Sequence, residues 1–153
     1  RITRHFMEME DSRTSSARNS FYGKIASIER GDIQSRVELL TLSDQKISAI
    51  VTNRSLEQLG LKKGSLITAE IKAPWITVQK KQEKPFCSAD NMLEGIIEDT
   101  SKSPVITEYM IRLPDGTMLC AIITTGAARS LDLKPGQPVW AYFNCFAVVL
   151  HTT

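Results

Sequence analysis

Residues 19–78 recur as residues 91–150 at a constant offset of 72 and without a gap. Asn19 falls on Asn91, Gly23 on Gly95, Ile25 on Ile97, Thr52 on Thr124, Gly64 on Gly136 and Ala69 on Ala141, among eleven identities in sixty positions. Conservative pairs such as Val51 with Ile123, Ile67 with Val139 and Val78 with Leu150 extend the match. Such a fixed period marks a tandem duplication, so the 153 residues divide into two similar modules rather than one larger domain. A module of this size buries only a thin core, which predicts that it pairs with its twin and with a second chain.

Within each copy the apolar pattern is short and of strand type. The first copy has GKIASIER, SRVELLTL, KISAIVT and SLITAEI; the second has GIIEDT, EYMIRL, MLCAIIT and PVWAYFNCFAVVL. Leu-Pro-Asp-Gly at 113–116 is a hairpin turn, and Leu-Ser-Asp-Gln at 42–45 stands at the same point of the first copy. One short helix interrupts each set. Thr52 is a suitable N-cap for the run containing Leu56 and Leu59, with Gly60 and Gly64 at its exit, and Thr124 to Gly136 repeats the device. Four or five short strands around one helix predict a mainly β chain, a tandem pair of small, partly open Greek-key barrels of the OB type. The expected division is 1–14 as a connector from a preceding domain, 15–79 as module 1, 80–88 as a charged, solvated linker and 89–153 as module 2.

Composition narrows the function classes. With 42% apolar and 24% charged residues the chain reads as a globular protein, and no stretch approaches the ~20 apolar residues of a membrane span. The N-terminus lacks the apolar core of a signal peptide, so a cytoplasmic location is expected. Lys+Arg 19 against Asp+Glu 17 is too even for bulk electrostatic attraction to nucleic acid, so any anion site is local. Cys87, Cys120 and Cys145 lack metal-ligand spacing and are expected to be small buried hydrophobes, while His5 and His151 receive no chemical role. The chain starts at Arg1 rather than Met, which predicts a fragment or a processed form.

The copies differ where chemistry is concerned. Ser15-Ser16-Ala17-Arg18-Asn19 in the first is matched by Cys87-Ser88-Ala89-Asp90-Asn91 in the second, so Arg18 is replaced by Asp90. Lys72 corresponds to Asn144 and Ser55 to Ala127. The first copy thus keeps a set of donors: the Arg18 guanidinium, the Lys72 ammonium, the hydroxyls of Ser16, Thr52 and Ser55, and the N–H groups at a helix start. With no carboxylate among them, the set suits a small ionised oxyanion and neither a metal cation nor acid–base catalysis. Two cations ~6 Å apart at an effective dielectric near 20 repel by roughly 3 kcal/mol, which a dianion would relieve. The outward reading of the same residues is that Arg18 and Lys72 are solvated and Thr52 and Ser55 are helix caps.

Ser-Ala-Arg-Asn followed by Gly23, Thr52 to Leu61, and Lys72-Ala73-Pro74-Trp75 together resemble the molybdate-binding Mop family (Mop/TOBE modules). With LPDGTMLCA and VWAYFN in the second copy, the tandem is similar to the ligand-binding half of ModE-type molybdate-responsive regulators. The resemblance runs from Ser15 to the C-terminus. It implies an OB-like pair of modules that forms a homodimer and takes molybdate or tungstate as effector at sites shared between subunits. Carried onto this sequence, Ser16, Arg18 and Lys72 come from one subunit and Thr52 and Ser55 from the other, with backbone groups around Ala17 assisting. Operator DNA is then reached only through an N-terminal winged helix-turn-helix that the sequence does not contain. The alternative is a molbindin-type store or buffer of molybdate. A nucleic-acid-binding OB module ranks lower, because the 7% of aromatic residues fall partly in core strands, and no catalytic residues are evident, so the chain is not expected to be an enzyme.

Overall fold

A computed structural model describes residues 17–82 and 84–152; the expected connector 1–14 and Ser16 lie outside them. The chain is mainly β. Module 1 supplies β1 (Arg18–Arg30), β2 (Gln34–Thr41), β3 (Lys46–Thr52), helix α1 (Asn53–Gln58), β4 (Leu66–Lys72), a 3-10 turn (Ala73–Trp75) and β5 (Thr77–Lys80). Module 2 repeats the order with β6 (Asn91–Lys102), β7 (Ile106–Arg112), β8 (Met118–Thr124), helix α2 (Thr125–Leu131), β9 (Pro138–Phe143), a second 3-10 turn (Cys145–Ala147) and β10 (Val149–Thr152). The expected turns, strands and helix caps are present. Thr52 accepts a hydrogen bond from the Ser55 N–H, and Thr124 accepts one from the Ala127 N–H, each at 3.1 Å. Asp44 and Gly116, equivalent turn positions, both adopt positive φ, which Asp tolerates and Gly adopts without strain.

The strands form two antiparallel five-stranded sheets, ordered β10-β4-β1-β2-β3 and β5-β9-β6-β7-β8. The repeat boundary and the sheet boundary differ. β5 leaves its own module and pairs with β9 (Val78 opposite Ala141), while β10 crosses back to β4 (Leu150 opposite Ala69). The run 138–150 therefore splits at Asn144 into two strands that serve different sheets. Lys80, expected at the start of a solvated linker, belongs to a strand. Beyond it, the Lys81 ammonium lies 5.5 Å from the centroid of the Trp140 ring and 3.2 Å from Glu94. One apolar core spans both modules, with Phe21, Ile47, Leu56 and Ile67 meeting Leu93, Tyr109, Ile111 and Phe143. Cys120 and Cys145 are buried as expected, whereas Cys87 is exposed, because it lies between β5 and β6 outside any strand.

Two asparagines fix the modules to each other. The Asn19 amide donates to the Cys120 carbonyl at 2.8 Å and accepts from the Cys120 N–H at 2.7 Å. Asn91 makes the same pair with Ser48, at 3.0 and 2.7 Å. Ser48 and Cys120 lie on β3 and β8, one outer strand of each sheet, so each asparagine amide completes backbone groups that β pairing leaves open. Both β1 and β6 bend at an equivalent bulge, between Ile25 and Ser27 and between Ile97 and Asp99, which lets one strand pair with two neighbours along its length. Just before the first bend, a Cβ on Gly23 would run into the Leu40 carbonyl oxygen, so the β1–β2 approach depends on glycine.

Two stability predictions follow from these contacts. Asn91→Ala strips the Ser48 N–H and carbonyl of their partner and should cost about 1–3 kcal/mol in urea unfolding. Gly23→Ala should cost about 1–3 kcal/mol through forced strand separation, whereas Gly126→Ala, whose Cβ meets open space in α2, should be neutral or mildly stabilising in the same assay.

Candidate functional site

Arg18 opens β1 and Lys72 closes β4, and their antiparallel register sets the two residues directly opposite each other. Opposed residues share a face of the sheet, and like charges in that position repel. Buried Ala17 precedes Arg18, and its carbonyl accepts the Ala73 N–H at 2.8 Å, so the chain just before Arg18 is tied to the chain just after Lys72. The structure thus brings Ala17, Arg18 and Lys72 together. It adds a residue that the donor set from sequence lacked. Glu70, two residues before Lys72 and therefore on the same face, accepts from Arg18 Nη1 at 3.4 and 3.5 Å. On its other side it meets His151 Nε2 at 3.3 Å, a residue of β10 and hence of the second module. The period-two spacing of Glu70 and Lys72 was the signal available in the sequence.

Thr52 and Ser55 lie elsewhere. Thr52 ends β3 opposite Gln34, beside the segment where Ser35 pairs with Arg30, and Arg30 also meets Glu57 of α1 at 3.8 Å. Arg30 is the last residue of β1, and Arg18 the first. At ~3.3 Å per residue the strand contour between them is about 40 Å. The cationic pair and the hydroxyl pair therefore occupy opposite ends of one strand. At its own end, the Thr52 hydroxyl accepts from the Ser55 N–H and donates to Ser55 Oγ at 2.9 Å. Arg54 between them is exposed.

Beside the cationic pair lies an open cleft of about 520 Å³, lined by Lys72, Glu70, Trp75, Asn144, Phe146 and Val149. Lys72 and Asn144 are repeat equivalents, so the cleft lies between corresponding points of the two modules. Trp75 is 60% exposed there. In the second copy the place of Arg18 has become an acceptor: the Asp90 carboxylate receives the Cys145 N–H at 3.3 Å, at the start of the second 3-10 turn. Burial, reinforced by Asp90, pushes the Cys145 thiol up to about 11. That end of module 2 is organised around a negative charge and does not reproduce the cationic face of module 1.

The TOBE domain family matches residues 15–78 and again residues 87–150, one match per repeat. The chain is 37% identical over 139 residues to the DNA-binding transcriptional dual regulator ModE of Escherichia coli K12, covering 90% of this chain and 52% of that protein. It is 32% identical over 135 residues to the molybdenum-pterin-binding protein MopA of Rhodobacter capsulatus, covering 88% of this chain and 51% of MopA. The chain thus spans about half the length of these curated relatives. Among solved structures, the cytoplasmic molybdate-binding protein ModG, in a form with molybdate bound, superposes with a TM-score of 0.85 at 28% identity, covering 92% of this chain and 99% of ModG. With both repeats matched and the relatedness extending along nine-tenths of its length, the chain belongs to the TOBE-domain family, as a tandem pair homologous to ModE, Mop and ModG proteins.

Proposed function

We propose that this chain is the molybdate- or tungstate-binding sensor portion of a cytoplasmic transcriptional regulator, with the oxyanion held between two copies of the chain. The observation that carries the reading is the placement of the donors. Arg18 and Lys72 are opposed on one sheet face, and Thr52 and Ser55 stand at the far end of β1. One chain cannot bring the two groups to one small ion, whereas a homodimer with a two-fold axis supplies each end from a different subunit and repeats the site twice. Ser16, Ala17, Arg18 and Lys72 would bind from one subunit, and Thr52 and Ser55 from the other. The chemistry suits a tetrahedral dianion. A guanidinium fork and an ammonium supply charge, and because Ser55 Oγ already accepts from Thr52, its own O–H is left to donate.

Binding would relieve the repulsion between the opposed cations and draw the subunits into a closed arrangement, which shifts the population of dimer conformations. A winged helix-turn-helix joined before Arg1 would report that shift to operator DNA. The identity to ModE supports this half of the reading. The named relatives are regulators and binding proteins rather than enzymes, and among the described residues no helix is long and apolar enough to cross a membrane. A second reading, molybdate storage or buffering, draws on the near-complete coverage of ModG. Operator binding by the intact gene product separates the two: a molybdate-dependent shift of promoter DNA supports the regulator, and its absence supports the store.

A titration with molybdate, with sulfate as control, tests the site through Trp75 fluorescence, since Trp75 shares the cleft with Lys72. Arg18→Ala and Lys72→Ala should each weaken binding by about 1.5–3 kcal/mol, while Asn144→Ala should leave it nearly intact. Unchanged affinity in both cation variants removes the site assignment. Sharing between subunits has its own signature. Lys72→Ala mixed with Thr52→Ala under conditions of subunit exchange should restore a population of sites tighter than either variant has alone, because one of the two sites in a mixed dimer is then intact.

A further inference from the structure

We infer that Glu70 is the resident counterion of the cationic pair: it competes with the incoming oxyanion for Arg18 and so sets the ligand concentration at which the site loads. The inference rests on the oxyanion reading above and adds to it a carboxylate that opposes binding.

The argument begins with the pair itself. Arg18 and Lys72 are forced to share a face by the β1–β4 register, where like charges repel. Glu70 is the neighbouring outward position of β4, and it faces the same cleft as Lys72. Its backbone is fixed on both sides, opposite Ser20 of β1 and Val149 of β10. Its carboxylate is only 21% exposed, against 52% for Arg18, and lies between Arg18 and His151. Glu70 is therefore the anchored member of the ion pair and Arg18 the movable one. Contacts of 3.4–3.5 Å are long for a charge-assisted hydrogen bond, and exposed pairs of this kind exchange partners readily.

A dianion approaching Lys72 offers the guanidinium a second acceptor with twice the charge. Arg18 can serve it only by giving up Glu70. The carboxylate then stays behind, held by its strand and by His151, and repels the ligand it has just lost to. Both effects reduce affinity, and both come from one residue whose outward place on β4 the fold itself does not require. Because His151 belongs to β10, the competitor is held in place by the second module, so a module without the cationic set still takes part in tuning the first.

Calorimetric titration of sodium molybdate into the full chain at low salt tests this with five proteins: wild type, Glu70→Gln, Glu70→Ala, Arg18→Ala and the Glu70→Gln/Arg18→Ala double variant. Glu70→Gln should bind about two- to fivefold more tightly, the worth of an exposed ion pair expressed as a ratio. The gain should shrink at high ionic strength and should largely vanish in the Arg18→Ala background, as expected for two residues acting on each other. Glu70→Ala should show the same gain, because it removes the charge without introducing an amide that itself donates to the oxyanion. Equal or weaker affinity in Glu70→Gln overturns the assignment. So does a gain confined to the Gln variant, or one that persists in full without Arg18. Absence of molybdate binding in every one of these proteins, wild type included, overturns the oxyanion reading itself and the counterion with it.

Discussion

The two modules are held in register by backbone hydrogen bonds that cross between them. Each sheet is completed by a strand from the other repeat, and one outer strand of each, β3 and β8, is clamped by an asparagine from the other repeat. Hydrogen bonds are directional in a way that apolar contact is not, so this exchange fixes the angle and offset of the modules as well as their proximity. The rest of the site geometry depends on it. It sets Lys72 and Asn144 on one cleft and delivers His151 to Glu70. A core spanning both halves then fills the interior between frames whose relation is already determined.

That arrangement also gives a physical reason for unequal copies. Equivalent residues of the two modules converge on the shared cleft, so a lysine retained at both 72 and 144 would bring two ammonium groups to one opening. Asn144 keeps polarity there and removes one charge. Asp90 goes further, and turns the position equivalent to Arg18 into an acceptor for the Cys145 N–H. The backbone scaffold survived duplication while the charges that would confront each other did not. The two 3-10 turns, Ala73–Trp75 and Cys145–Ala147, show how closely the scaffold was kept.

Local features were readable from the sequence because their causes are local. The caps at Thr52 and Thr124, the turns at Asp44 and Gly116, and eight of the strands each depend on a few neighbouring residues. The exchange of β5 and β10 was not readable, since TVQK and VLHT are too short to show alternation and their partners lie in the other repeat. Charge misled in one place: Lys80 and Lys81 were assigned to a solvated linker, yet one sits in a strand and the other lies over Trp140. For the candidate site, the opposition of Arg18 and Lys72 follows from strand register, which sequence does not specify. Glu70 stands outside the donor set because a carboxylate accepts, although its spacing from Lys72 puts it on the same face. Asn19 and Asn91 stood out as an identical pair, but their docking partners lie on strands that only the assembled fold brings near.

The strand exchange has a consequence for how the protein is made. β4 is complete once residue 72 has left the ribosome, but its outer edge stays open until residues 149–152 emerge and bind as β10. β5 waits in the same way for β9. While module 2 is being made the nascent chain therefore carries an open edge on β4 and a β5 whose partner strand does not yet exist, the condition under which chains pair with the wrong neighbour. Closure of the first sheet therefore follows the making of module 2 rather than of module 1. A polysome crowded with identical chains, each offering the same edge to the same late strand, is thus where this fold is most exposed to exchanging β10 between molecules instead of within one.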